Sequence, residues 1–321
     1  MSTSYPKTGK EGFCLLVVDA HCDTLSRQAC RGFPLSRQLE GQVDLPRLRQ
    51  GKVKVQFFAV FVPLEYRGMY LRRALEQVDY FYRLLSTWEE VRPVKDRASL
   101  EEALAEGKTA GVLAVEGGHV LEGSLAALRV FHLLGVRCLT LTWNGRNELG
   151  DGVGEEGGLS SLGREVVREM GRLGMLVDVA HLSPAGFWDV LRQAEGPIIA
   201  SHANSRALCD HPRNLTDEQV RALAATGGVI GVTFVPHFID PEKPTLDRLI
   251  DHMEHLAEIG GIDCVGVGSD FDGVPEPWEE MPDATSWPRL ISRLRERGWK
   301  EEEIRKVMGE NFLRVMRAVW P

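Results

Sequence analysis

The sequence predicts an α/β protein folded as one (β/α)8 TIM barrel, a single domain over residues 1–321. Eight short runs rich in β-branched and other apolar residues recur along the chain, and turn residues and a helix-period pattern follow them. No linker, low-complexity tract or internal repeat interrupts the composition. A length of 321 residues with 43% apolar side chains is enough for one large core. A doubly wound open sheet is the competing arrangement, and a count of eight parallel strands favours the barrel.

The elements follow in chain order. The first strand is Phe13–His21 (FCLLVVDAH) and the second Val53–Val62 (VKVQFFAVFV). A long gap with helix patterns at Leu71–Glu90 and Leu100–Glu106 separates the second strand from the third, Thr109–Gly117 (TAGVLAVEG), so one helix there is extra to the barrel. Helix Ser124–Leu134 leads to strand Val136–Trp143 (VRCLTLTW), and helix Ser160–Leu173 leads to strand Gly174–His181 (GMLVDVAH). Ser183-Pro184 then supplies an N-cap and a first-turn proline for helix Pro184–Ala194, ahead of strand Pro197–His202. Thr216 and Gln219 make a capping box for helix Thr216–Ala225, which precedes strand Gly228–Val235. Helix Thr245–Ile259 precedes the eighth strand, Asp263–Asp270 (DCVGVGSD). The Pro-rich segment Gly273–Pro288 reads as an active-site loop, followed by helix Ser286–Arg297 and a C-terminal helix over 300–319.

Charge and composition exclude several functions. With 46 acidic against 38 basic residues the formal charge is −8, opposite to a nucleic-acid-binding footprint. The start, MSTSYPKTGKEGF, lacks the apolar centre of a signal peptide, and the longest weakly interrupted apolar run, Gly227–Phe238, is well short of the ~20 residues a membrane helix needs. A soluble, cytoplasmic protein with no membrane partner is expected. Six scattered cysteines without a CxxC pair indicate reduced, mostly buried thiols.

Three of the nine histidines, His21, His181 and His202, stand at or beside the last residue of a predicted strand, the catalytic end in a barrel. His21 and Asp23 are separated by one residue, so extended backbone sends both side chains to one face. Glu116 ends a strand that should be buried, where a carboxylate is costly unless it meets cations; its two oxygens can bridge two metals. His181 and His202 suit a second borderline-soft divalent ion. GSDFDG puts Asp270 at the tip of the eighth strand, with Asp272 just beyond. Five ligands and one proton-handling acid make a binuclear hydrolase centre. His252 and His255 on DHMEHLAEIG have chelating spacing, but the segment reads as an exposed amphipathic helix. His132 reads as packing, while His119, His211 and His237 are candidates for the pocket lining.

These motifs together resemble the renal or membrane dipeptidase family, zinc dipeptidases of peptidase family M19. The resemblance runs from Val18-Asp19-Ala20-His21-Cys22-Asp23 through Val115-Glu116-Gly117-Gly118-His119, Asp178-Val179-Ala180-His181, Ser201-His202 and His211-Pro212-Arg213-Asn214. It continues in Gly268-Ser269-Asp270-Phe271-Asp272-Gly273 and in Gly309-Glu310-Asn311-Phe312-Leu313-Arg314-Val315 near the end. It implies two Zn2+ per subunit, other divalent ions being alternatives: His21 and Asp23 hold one, His181 and His202 the other, and Glu116 bridges. It also implies that Asp270 handles a proton near the scissile amide and that Arg213 receives the carboxylate of a small dipeptide. A hydroxide bridging the ions is the expected nucleophile. The family's acceptance of C-terminal D-residues extends to this chain as an expectation, as does homodimerisation. The chain departs from the animal enzymes at Trp143, which stands in LTLTWNGRN where they carry a substrate-pocket histidine; an indole donates one hydrogen bond but neither titrates nor coordinates. The C-terminus LRVMRAVWP carries no lipid-anchor signal, so a soluble, bacterial-type member is expected. Rival readings are a related metal hydrolase acting on another amide or a lactone, and a binding barrel without turnover.

Overall fold

A computed structural model of the protein describes residues 15–274 and 278–321. Phe13 and Cys14 of the first predicted strand, and residues 275–277 of the predicted loop Gly273–Pro288, lie outside the described residues. Parallel strands form inside the apolar runs: β1 Val17–Asp19, β2 Val53–Phe61, β4 Thr109–Glu116, β5 Val136–Thr140, β6 Leu176–Asp178, β7 Ile199–Ala200, β8 Val229–Val232 and β9 Val265–Val267, with β3 at Val91–Val94. β1 pairs with both β2 and β9, β2 pairs with β4, and the remaining strands pair in sequence, closing an eight-stranded barrel. Each barrel strand falls within one predicted run, and the strands are shorter than the runs because their last residues leave the ladder to enter the loops at the mouth.

The sequence reading missed β3. Its residues, VRPV, include Pro93, which cannot donate to a ladder and reads as a break. Here β3 pairs with Thr109–Val112 of β4, whereas Leu113–Glu116 of β4 pair with β5. The strand is therefore an edge added outside the barrel, where proline is tolerated. The gap before β4 holds two helices, Tyr70–Thr87 and Arg97–Ala105, the second capped by Asp96, whose side chain accepts from Ser99 N at 2.7 Å. Three short helices, Thr24–Ala29, Leu45–Gln50 and Pro236–Ile239, were too brief for a periodic signal. The expected N-caps at Ser183 and Thr216 are both present.

Two apolar layers alternate along the strands. Val18, Val55, Phe57, Val112, Leu176 and Ile199 belong to a cluster completed by Phe312 and Met316. Val17, Val53, Phe58, Leu113, Val177 and Ala200 pack with the surrounding helices. The C-terminal segment expected over 300–319 is helix Glu301–Arg305, one π-helical turn Lys306–Glu310 and helix Asn311–Val319. It brings Phe312 so close to β9 that a Cβ on Gly266 would lie 2.4 Å from the Phe312 ring. Glycine at 266 lets this ring fill the barrel interior. Among the described residues no helix is long and apolar enough to cross a membrane, and the five described cysteines are free.

Candidate metal centre

The strand tips at one end of the barrel gather the six expected donors. The chain after β1 stays extended: Cys22 bridges to Phe271 and exchanges backbone hydrogen bonds with β2. His21 and Asp23 flank that residue and so face the same side, with His21 Nε2 3.1 Å from Asp23 Oδ2. Glu116, the last residue of β4, divides its oxygens. Oε1 lies 2.9 Å from His181 Nε2 and 3.6 Å from His202 Nε2, while Oε2 lies 3.7 Å from His21 Nε2. Asp270 Oδ1 stands 3.8 Å from His21 Nε2. His181 and Asp270 are held at φ 63° and φ 64°, a left-handed backbone that costs a side-chain-bearing residue roughly 1–2 kcal/mol and turns each into the mouth. A Cβ on Gly273 would lie 2.3 Å from Asp270 Oδ1 and 2.4 Å from Asp23 Oδ2, so glycine there keeps the space beside both carboxylates.

The hydrogen bonds fix which nitrogens carry lone pairs. His181 Nδ1 donates to Asn144 Oδ1 at 2.7 Å, and His202 Nδ1 meets Ser201 Oγ at 2.8 Å. Ser201 Oγ spends its own proton on Asp178 Oδ2 at 2.6 Å, so it accepts from His202 Nδ1. Both Nε2 lone pairs therefore point at each other across 2.9 Å and at Glu116 Oε1. Such an arrangement is repulsive by itself and favourable around a cation. Tetrahedral zinc with bonds near 2.0–2.1 Å separates its ligand atoms by about 3.3 Å, and the spacings here fall around that value. Buried Asp23 Oδ1 has no hydrogen-bond partner, and two overlapping donor groups, His21–Glu116–His202 and His21–Asp23–Asp270, are close enough to share an ion. The donor set fits divalent cations.

Within the cluster the charges compensate one another. Burial, helped by the positive charges of Arg213 and His21, holds His181 and His202 well below the usual imidazole range, so both are neutral. Burial also lowers His21, but Glu116 and Asp23 outweigh it and raise that ring to about 10. Burial and then Asp23 push Glu116 well above the carboxylate range, despite the opposing pull of His21. Burial lifts Asp270 to about 7, with Asp23 reinforcing and His21 and Arg213 opposing. Arg213 is 4% exposed; Nη2 donates to the His202 carbonyl at 3.1 Å, and the buried Nε has no partner. Trp143 is half-buried beside the centre, its ring 6.2 Å from that of His181 and 5.3 Å from that of Phe61.

The other histidines have structural bonds. His252 is fully buried, contrary to the expected exposed helix face: it accepts from Ser205 N at 3.1 Å and its Nε2 donates to the Ile239 carbonyl at 2.9 Å. His255 pairs instead with Asp217 at 2.9 Å. His119 is buried and bonds the Val62 carbonyl, and His132 lies on helix Leu125–Leu133. His211 stacks on Phe238 and accepts from Arg213 N, which steadies the loop carrying Arg213; His237 is exposed at the start of the helix that contains Phe238. Sequence reasoning gave no role to Asn144, Asp19, Asp178, Ser201 or Ser269, which hold the site from behind. Their signal was present in the pattern of an Asp two or three residues before a strand-tip His and a Ser immediately before His202 and Asp270.

Comparison with known proteins places this geometry. The family model for membrane dipeptidase, peptidase family M19, matches residues 14–320. The structure is similar to that of a protein described as dipeptidase AC, a metallopeptidase of family M19, with TM-score 0.89 and 28% identity over 96% of this chain and 99% of that one. It is similar to a metallopeptidase from Rhodobacter sphaeroides bound to a phosphinate mimic of the dipeptide L-Ala-D-Ala, with TM-score 0.87 and 28% identity over 95% and 99% of the two chains. It is also similar to an amidohydrolase from Pseudomonas aeruginosa, with TM-score 0.79 and 29% identity over 86% and 91%. A whole-length family match, joined to a barrel with a candidate metal-ligand cluster at its mouth, means that this chain belongs to the membrane dipeptidase family of metallopeptidases, peptidase family M19.

Proposed function

We propose that the protein is a zinc-dependent dipeptidase with two ions per chain, one held by His21 and Asp23, the other by His181 and His202, with Glu116 between them. The observation that carries this reading is the division of Glu116, one oxygen toward the His181–His202 pair and the other toward His21. When bound, the ions supply Lewis acidity and a water acidified to a pKa near ~7. The chain's own residues do the rest. Asp270, at the mouth 3.8 Å from His21 Nε2, accepts and returns a proton through its carboxylate. Arg213 receives the substrate carboxylate: its guanidinium is buried and its fork geometry matches a carboxylate. That anchor favours dipeptides over longer chains, because a third residue would displace the carboxylate from the guanidinium. Trp143 and Phe61 wall the side of the mouth next to His181 and exclude water there. Acceptance of a C-terminal D-residue is supported by the Rhodobacter relative, whose bound ligand mimics L-Ala-D-Ala.

The test is a panel of L,L- and L,D-dipeptides, N-acyl amino acids and lactones, assayed with chelated protein before and after zinc is returned. Dipeptide hydrolysis that disappears on chelation and reappears with zinc is expected. Turnover of the acyl amino acids or lactones alone would replace the peptidase reading with another amide or ester hydrolase, the direction in which the similarity to an amidohydrolase points.

A further inference from the structure

We propose that Asp178 and Ser201 are positioning residues that lock His202 in the tautomer with Nε2 free to ligate, while the matching pair Asp19 and Ser269 braces the other half of the centre through backbone alone. The proposal rests on the reading of His202 as a metal ligand. The two pairs are built alike. Asp178, which ends β6, accepts from Ser201 N at 2.8 Å and Ala180 N at 3.0 Å on Oδ1, and from Ser201 Oγ at 2.6 Å and Thr140 Oγ1 at 2.5 Å on Oδ2. Asp19, which ends β1, accepts from Ser269 N at 2.8 Å and His21 N at 3.4 Å on Oδ1, and from Ser269 Oγ at 2.7 Å and Gln56 Nε2 at 3.0 Å on Oδ2. In both, a carboxylate grips the serine that precedes a site residue on the neighbouring strand. All four side chains are buried.

What each serine does next differs. Ser201 Oγ faces the Nδ1 of His202, whereas Ser269 Oγ faces the backbone carbonyl of His21 at 3.1 Å. A hydroxyl has one proton. While Asp178 is an acceptor, the Ser201 proton goes to it, and the serine oxygen is left to receive the Nδ1 proton of His202. Replacing Asp178 by the isosteric asparagine reverses the direction. The backbone N–H groups of Ser201 and Ala180 cannot turn away, so the asparagine oxygen must take the Oδ1 place and its NH2 the Oδ2 place. Ser201 then accepts from that NH2 and donates to His202 Nδ1, which puts the ring proton on Nε2 and blocks ligation. The same change at Asp19 reaches no imidazole. Ser269 can direct its proton to the His21 carbonyl, and the loss falls on the contact with Gln56 Nε2, which also holds the Phe57 carbonyl at 3.2 Å.

The experiment measures zinc binding alone, by chelator competition on the full chain, with the His202 tautomer read by 15N NMR and folding by thermal melting. The wild type is expected to bind two equivalents. Asp178→Asn should weaken one equivalent by roughly 10- to 100-fold and move the His202 proton to Nε2, and Ser201→Ala should weaken the same equivalent by a smaller factor. Asp19→Asn should keep both equivalents within about threefold of wild type. Unchanged binding in Asp178→Asn, or an equal loss in Asp19→Asn, overturns the relay and leaves the dipeptidase reading standing. Should Asp178→Asn not fold, Ser201→Ala decides: wild-type affinity for both equivalents overturns the relay. A wild type that binds no zinc overturns both readings.

Discussion

Partly buried Asp270 and buried Arg213 lie at the same mouth, and the proposed mechanism gives them separate tasks. Asp270 stands 3.8 Å from His21 Nε2, and in the proposed mechanism it moves a proton. Arg213 stays cationic at neutral pH although burial lowers it to about 10, and in the proposed mechanism it holds the substrate's carboxylate. Asp270→Asn should therefore cost about two to four orders of magnitude in kcat while zinc content remains at the wild-type value. Metal analysis and steady-state kinetics on the same preparation check this, and loss of an ion would move Asp270 into the ligand set. Arg213→Ala should raise KM for a dipeptide far more than for its C-terminally amidated analogue, and equal losses on both substrates would remove the carboxylate role. That these residues meet at one mouth was legible in the sequence, because HxD at one strand tip and single His, Glu or Asp residues at four others are unusual at the buried ends of strands. Asn144 was not legible: the sequence alone does not reveal that the loop after β5 returns to His181.

At the scale of elements, the helix Leu246–Gly260 illustrates how a histidine can be misread. The i, i+3 spacing of His252 and His255 is compatible with chelation, but the apolar face of the helix, Leu249, Ile250, Met253 and Leu256, turns His252 inward. There it ties the helix to Ser205 N and Ile239 O, and burial lowers its pKa to about 4, with Arg248 adding to the effect. An unfolded histidine titrates near ~6.5, so between pH 6.5 and 4 the unfolded chain binds the extra proton and the fold loses stability. The contribution of this one ring is fully present above pH 6.5, and about 2 kcal/mol of it should be lost between pH 7 and pH 5. Urea denaturation at the two pH values, compared with His252→Gln, checks this: the variant should lose less stability on acidification than the wild type does. The missed strand β3 belongs to the same scale, since a VRPV segment becomes a strand because the first half of β4 offers it an unpaired edge.

For the whole molecule, closure of the barrel is what gathers the site. His21 and Asp270 are adjacent because β1 pairs with β9, the two ends of the ring. The opposite interior is filled by Phe312 from the C-terminal helix, fully buried and 6.4 Å from the ring of Phe57. Phe312→Ala should cost about 3–5 kcal/mol through the cavity it leaves. Denaturant unfolding measures the loss, and kcat of the folded variant at 25 °C should stay within a few-fold of wild type because the cavity opens away from the mouth. A fall in kcat matching that of Asp270→Asn would mean that the packing and the site are coupled.

The sequence by itself determined the barrel strands, their order and the six polar residues that meet at the mouth, because apolar runs and strand-end polar residues are local patterns that burial enforces wherever the chain goes. The tertiary structure alone decided how those donors divide: which oxygen of Glu116 faces which histidines, which imidazole nitrogen carries the lone pair, and that Ser201, not Ser269, touches a ring. Those choices depend on hydrogen bonds between strands far apart in the chain, whose directions are set when the ring closes and every buried donor must find an acceptor.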